Sequence, residues 1–545
     1  MQYKAKADTP FFEDTSTQMK KTYKCLYNHD MGSIPQCLTP ALTSCDQQVT
    51  RQQVQQFIRD VADTNVDAIL CCPTMLRRVL WRSEIDPHWQ KEAPLLADRD
   101  DEDPILARGD QSMYYRMHRY IMNGGDPVRD TFEAVKEAGM DFFISYRMND
   151  WHYFELEGDS LLLDTFWLEH PHYRVGEFSE SYPFLDDWSE PRVAKLENYL
   201  QPEVRKHYCD LFDELADLYD IDGIELDFMR SPLYFPPSQL QEGTQAMTEF
   251  VRSVRGILDR HGAQRGKHLS LCVSVPSTLE LCSVVGLDMA LWDKERLIDQ
   301  VRVSPGYVAS FDLAIEDFCH TLEHARIYGD LQGTWAVQKD IRGHRQTTPE
   351  IYETGAFNFL KRGADGIAFD NFTFTYPTVQ GNWLKPGRTD GGCDPPLYIL
   401  QHIGDADYLA TRPKHYFIGC RNIGWRPEGI GRFPMMNRIE TTMAIYDDIL
   451  CGQFTSAVLR VVSGERCDDI KMEAQFNGVA LSEFDHRGEL FEPLTDDGLP
   501  NTDEVRHFRV PLDKVKTGDN ALCIETRDTP RPVEFIAVEL ALYVD

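Results

Sequence analysis

The sequence predicts a closed parallel (β/α)8 TIM-like barrel followed by a C-terminal β-sandwich, an α/β chain with an all-β end. Three observations carry this. Short apolar runs alternate with helical segments eight times between about residues 21 and 375. No glycine-rich phosphate loop follows the first run, as an open dinucleotide-binding sheet would require. Beyond about residue 412 the chain changes to short β-type runs. Eight strand–helix units close a barrel, and a change of pattern marks a second core.

The elements follow in order. Residues 1–20 form an extension, polar and charged, with no apolar stretch of secretory type. Residues 23–27 read as the first strand, ending in Asn28, His29 and Asp30. A helix is expected over about 49–63, then a second strand over 66–72, halted by Pro73. Asp126 and Pro127 open a helix, since aspartate caps and proline suits the first turn, and Gly139 closes it. The third strand, 140–144, runs into Ser145-Tyr146-Arg147-Met148-Asn149-Asp150-Trp151-His152. A helix over 203–219 leads to the fourth strand at 222–228. The remaining four fall at 269–275, 300–303, 326–328 and 366–369, with helices between them that include 240–260 and 286–297.

Two connections are long: 74–125 after the second strand and 153–190 after the third. Both are rich in Trp, His, Asp and Tyr, and loops of this length are usually lids or binding walls. The competing reading is packing decoration or a subunit contact in a homodimer. Residues 376–411 are rich in Pro, Gly and polar residues and read as a linker. Runs at 457–462, 472–476, 507–510, 521–525 and 535–543, with Asn477-Gly478 as a hairpin turn, make up the sandwich at 412–545.

Charge narrows the function. With 88 acidic and 56 basic residues the formal net charge is −32, which argues against nucleic acid or an anionic membrane surface as partner. No run of about 18 apolar residues is present to span a bilayer. The 14 cysteines contain no C-x-x-C pair, so free thiols in a reducing, cytoplasmic setting are expected, with no metal site and no cofactor.

In a parallel barrel the strand C-termini converge on one mouth. The ends collected there are His29 and Asp30, then Arg147, Asn149, Asp150 and His152, then Glu225, Asp227 and Arg230, and finally Asp370 and Asn371. A fixed arginine at the mouth of so acidic a protein points to an anionic substrate. Two arginines can clamp a carboxylate, because each presents a planar fork of donors. Asp150 beside His152 would fix the imidazole tautomer and let it act as acid or base. Asp30 is a candidate second acid or base. Glu225 and Asp227 alternate with apolar residues and should face inward, either as pocket supports or, with Asp370, as the carboxylates of a different barrel glycosidase. A metal-dependent hydrolase built on His29, Asp30, Asp150 and His152, and a non-catalytic sugar-binding protein, complete the alternatives.

The string Asp222-Gly223-Ile224-Glu225-Leu226-Asp227-Phe228-Met229 resembles the fourth-strand motif of family 18 chitinases, with Met229 in place of their catalytic glutamate. Taken together, Asn28-His29-Asp30, the run Arg147 to His152, Arg230 after the fourth strand and Asn371 after the eighth resemble glycoside hydrolase family 156. The likeness covers the barrel-plus-β layout of most of the chain. That family comprises exo-sialidases that release terminal sialic acid from glycans with inversion. The resemblance implies Asp30 and His152 as the catalytic pair with Asp150 behind His152. It also implies Arg147 and Arg230 as carboxylate contacts and Asn371 as a sugar contact; Asn149, at the same strand end as Arg147, is expected to be a further substrate contact.

Overall fold

The computed structural model describes residues 21–32, 34, 48–87, 109–152, 154, 162–178, 190–306, 308–337, 344–370, 372, 396–419, 437–485, 488–493, 499–527 and 532–545. Eight parallel strands close into a barrel in sequential order. They are β1 (Cys25–Asp30), β2 (Ala68–Cys72), β3 (Asp141–Arg147), β4 (Gly223–Asp227), β5 (Ser270–Pro276), β6 (Gln300–Ser304), β7 (Arg326–Gln332) and β8 (Gly366–Asp370). All eight expected strands are present. β1 and β3 run further than expected, so Asp30 and Arg147 are the last residues of strands.

Strand alternation divides the side chains into two sets. One set faces the helices: Cys25, Ile69, Phe142, Ile144, Ile224 and Val301 belong to a single large apolar core with the surrounding layer. The other set fills the barrel. Its lower part is apolar, with Leu26, Ala68, Leu70, Phe143, Cys272, Tyr328 and Ala368 in one cluster. Gly223 lies at this level because a Cβ there would sit 2.4 Å from the Phe143 ring and 2.5 Å from the Ser270 carbonyl oxygen. Above it the filling becomes polar. Asn28 donates to Ser145 (3.4 Å), Ser145 to Glu225 (2.5 Å), and Arg302 to Glu225 (2.8 Å).

This parity corrects one expectation. His29 does not face the mouth. Between the inward Asn28 and Asp30, it points out of the barrel and lies 5.8 Å from the Phe57 ring of the helix Arg51–Arg59. The four-residue metal set built on His29 is therefore not assembled. Among the described residues, no group of three or more His, Cys, Asp or Glu side chains could hold a metal ion.

Residues 396–411, expected as linker, form a 3-10 turn (Leu397–Gln401) and a helix (Ala406–Ala410) instead. Ile399, Leu400, Ile403 and Leu409 are buried in the barrel's core, and Asn65 donates its backbone N–H to Leu400. The polar composition hid four apolar residues spaced to cover one patch. The expected extension at 1–20, and all of 376–395, lie outside the described residues.

The C-terminal part contains a five-stranded and a four-stranded antiparallel sheet with a shared core. Strands Lys414–Gly419 and Arg438–Ile445 were not anticipated, whereas Asn477 and Gly478 make the expected turn with φ of 50° and 77°. The β-domain packs on the barrel through Phe417, whose ring is 4.8 Å from Phe311, and through the His415 N–H, which donates to Thr354 (2.8 Å) on the helix Pro349–Lys361. No helix among the described residues is long and apolar enough to cross a membrane.

His29 is fully buried, and its ring nitrogens make no hydrogen bond to the described residues. Burial pushes its pKa down to about 4, only partly opposed by Asp30. The unfolded chain accepts this proton near pH 6.5, and the folded chain resists it to about 4. Stability contributed by neutral His29 is complete above 6.5 and is lost as pH falls toward 4, amounting to roughly 3 kcal/mol. His29→Leu should flatten the stability profile over that window. Chemical denaturation at pH 7, 5.5 and 4.5 measures it, and an unchanged slope in the variant would refute the assignment.

Candidate active site

The site is built around Asp150, in the loop that leaves β3. Its carboxylate is 2% exposed and faces three donors. Oδ1 pairs with His152 Nδ1 at 2.5 Å and accepts the His152 backbone N–H at 3.0 Å. Oδ2 pairs with Arg147 Nη1 at 3.2 Å and lies 3.8 Å from Arg230 Nε. Burial by itself would raise this carboxyl, but His152, Arg147 and Arg230 together hold it well below the usual carboxylate range.

Arg147 then reaches across the barrel. Its Nη2 pairs with Asp30 Oδ2 at 2.5 Å, while Asp30 Oδ1 accepts the Gly32 N–H at 2.9 Å. Arg230 Nη2 is 3.3 Å from His152 Nε2. With Nδ1–H given to Asp150, Nε2 is left as the acceptor, and the Arg230 contact agrees with that tautomer. The His152 side chain is 30% exposed, the most open member of the group. Asp30, Arg147, Asp150, His152 and Arg230 thus form one chain of contacts at the C-terminal mouth. The sequence expectation named all five.

Asn149 departs from expectation. Its amide donates to the carbonyls of Glu197 (3.2 Å) and Leu233 (2.9 Å) and accepts the Glu197 N–H (3.2 Å). It is fully buried and holds the loop in place, so it does not line the mouth as a substrate contact. Asn371 lies outside the described residues. Glu225 is fully buried between Ser145 and Arg302, below the mouth, whereas Asp227 and Asp370 lie at its rim, 11% and 23% exposed.

Two arginines escaped the sequence reading. Arg302, on β6, stands in the barrel centre among Glu225, Asp227, Asp330 and Asp370. The alternation Gln300-Val301-Arg302-Val303-Ser304 contained the signal that it faces inward. Arg77, in the connection after β2, carried no such signal. It follows Leu76, a non-glycine residue with φ of 55° at the tip of the small ribbon Thr74–Met75 and Arg78–Val79. Arg77 Nε pairs with Asp164 at 2.6 Å and Nη2 with Glu197 at 2.9 Å, and Nη1 donates to the Asp150 carbonyl at 3.2 Å. Its guanidinium lies 5.7 Å from the Phe154 ring, which stacks on Trp167. The described parts of both long connections therefore meet at Arg77, directly behind Asp150. The remaining parts, 88–108, 155–161 and 179–189, lie outside the described residues.

No protein-family model matches this sequence, and no curated protein matches it. Among solved structures, the chain is similar to the PgaB (BpsB) glycoside hydrolase domain from Bordetella bronchiseptica, at 10% identity over 66% of this chain and 98% of that one, with a TM-score of 0.39. It is similar to an alpha-L-fucosidase from Bacteroides thetaiotaomicron at 10% identity over 99% and 97% of the two chains, TM-score 0.34. A cycloisomaltooligosaccharide glucanotransferase from Paenibacillus matches at 9% identity over 97% of this chain, TM-score 0.32, and this chain spans 58% of that enzyme's length.

Removing one partner from a buried ion pair leaves the others uncompensated. Arg77→Met should therefore cost about 3–5 kcal/mol of stability. A denaturant titration that finds less than about 1 kcal/mol would show that Arg77 does not lock the two connections together.

Proposed function

We propose that this chain is a glycoside hydrolase that removes terminal sialic acid from glycans with inversion at the anomeric carbon. The observation that carries the reading is the convergence of Arg147, Arg230 and His152 on Asp150 beside Asp30, in one barrel mouth. Two guanidinium groups held on one side of a mouth suit a substrate whose carboxylate must be fixed next to the reacting carbon. A neutral sugar would leave both without a role in binding.

The contacts support the following course. Arg147 is bound to Asp30. An arriving substrate carboxylate competes for that guanidinium and loosens its hold on Asp30, which can then carry a proton for the leaving oxygen. Arg230 is likewise drawn from His152 Nε2 to the carboxylate, and a water takes its place. Nε2 accepts the proton of that water, and Asp150 stabilises the imidazolium that forms. One displacement at the anomeric carbon inverts it. The arginines hold the carboxylate beside the oxocarbenium-like centre throughout.

The reading with Glu225 as a catalytic carboxylate has less support. Glu225 is buried beneath the mouth with its oxygens on Ser145 and Arg302, and Met229 stands where the family 18 motif has its glutamate. The roles of Asp30 and His152 could be exchanged, since Asp30 accepts from both Gly32 and Arg147.

A proton NMR time course on α-2,3- and α-2,6-sialyllactose is the direct test. The β-anomer of sialic acid should appear first. First appearance of the α-anomer would exclude the pair, and no release of sialic acid from any sialoside would end the proposal. Asp30→Asn and His152→Ala should each lower kcat by about 10²–10⁴ with sialic acid binding retained. An aryl leaving group should rescue whichever variant lacks the acid. Arg147→Ala should raise KM and lower kcat/KM by about 10²-fold or more, with incomplete recovery in Arg147→Lys, because a point charge does not replace the fork.

A further inference from the structure

The centre of the mouth has a chemistry that Arg147 and Arg230 do not explain. Arg302 is 1% exposed and sits among four carboxylates: Nε is 2.8 Å from Glu225, Nη1 is 3.4 Å from Asp330 and 3.6 Å from Asp370, and Nη2 is 3.8 Å from Asp227. Exposure is graded from the barrel outward. Glu225 and Asp330 are fully buried, Asp227 is 11% exposed and Asp370 is 23% exposed. Gln332 donates to Asp330 (2.7 Å) and lies 3.4 Å from Asp370. The lower pair is satisfied internally, and burial raises both Asp330 and Glu225 against the pull of Arg302.

Two other groups beside this cluster lack a hydrogen bond among the described residues. Arg302 Nη2 makes no hydrogen bond. Ser274 is fully buried on β5, paired in register with Asp227 on one side and Arg302 on the other, and its Oγ has no partner either. These unmet groups lie on the inward face beside Asp227. Buried polar groups left open beneath two partly exposed carboxylates mark a place suited to small groups that both give and accept hydrogen bonds.

We propose that Arg302 is a positioning residue that presents Asp227 and Asp370 as acceptors for hydroxyl groups of the sugar, beside the arginines that take its carboxylate; Asp227 stands in register with Arg147 on the neighbouring strand. The proposal rests on the sialidase reading above and deepens it. The substrate is then recognised both as an anion and as a polyol. A carboxylate is the stronger acceptor for a hydroxyl, because one partner is ionised. Arg302 keeps two neighbouring carboxylates close enough to share one sugar and supplies the charge that offsets them.

Three substrates test it: an aryl α-sialoside, its 4-deoxy analogue, and an analogue whose side chain has been shortened by periodate oxidation and borohydride reduction. The native protein should lose about 10- to 100-fold in kcat/KM, mainly through KM, on at least one analogue. Asp227→Asn and Asp370→Asn should bring that penalty to within about threefold by weakening the parent substrate, as expected when one deletion removes the partner of the other. Arg302→Lys should shrink the same penalty while the folded state, checked by circular dichroism, is retained. Arg147→Ala should lower all three substrates equally and leave the penalty intact. If neither analogue is penalised, or if the penalty survives in both asparagine variants, the hydroxyl contact is wrong although the sialidase reading stands. If the native protein hydrolyses none of the three, that reading fails and the contact fails with it.

Discussion

A single buried carboxylate organises the mouth of this barrel. Asp150 is withdrawn from water and would be costly as an anion if it stood alone. It is tolerated because His152, Arg147 and Arg230 compensate it, and it in turn stops those three groups from moving independently. Both sides of the arrangement gain. The anion is neutralised, and two flexible arginines and an imidazole acquire fixed directions before any ligand arrives. Preorganisation of this kind lowers the cost of orienting groups when substrate binds.

The same carboxylate links the mouth to the scaffold. Its backbone carbonyl is held by Arg77, and Arg77 is held by Asp164 and Glu197. Asn149, one residue earlier, is clamped to the backbones of Glu197 and Leu233. The loop after β3 is therefore fixed from behind by the long connections and from in front by the arginines. Burying so many charges does not favour stability over an apolar filling of equal volume. The barrel carries them at its upper level and keeps an apolar cluster below, where Leu26, Leu70 and Phe143 supply the packing.

Much of this was legible in the residues themselves. Asp30, Arg147, His152 and Arg230 follow apolar runs, and in a parallel barrel such positions must lie at one end. Two of the misreadings share a cause in parity. Asp30 faces inward, so His29 could not, and the two-residue period would have excluded it. Applied to Gln300-Val301-Arg302-Val303-Ser304, the same rule would have brought Arg302 to notice. Asn149 was misplaced because its loop turns back on the barrel, and no periodicity governs a loop. The segment at 396–411 was misread because composition was weighed above the spacing of Ile399, Leu400, Ile403 and Leu409.

By itself the sequence determined the order of elements, the closed barrel they imply and the chemical types available at its mouth, because these depend on local periodicity and on the polarity of strand ends. It could not determine which of those groups touch. Arg147 meets Asp30 across 117 residues, Arg302 meets Glu225 across 77, and Arg77 meets Asp164 across 87. Such pairings are set by barrel closure, strand register and the return path of long loops. They arise from the balance of desolvation and charge compensation in a packed interior, and that balance exists only once the chain has folded.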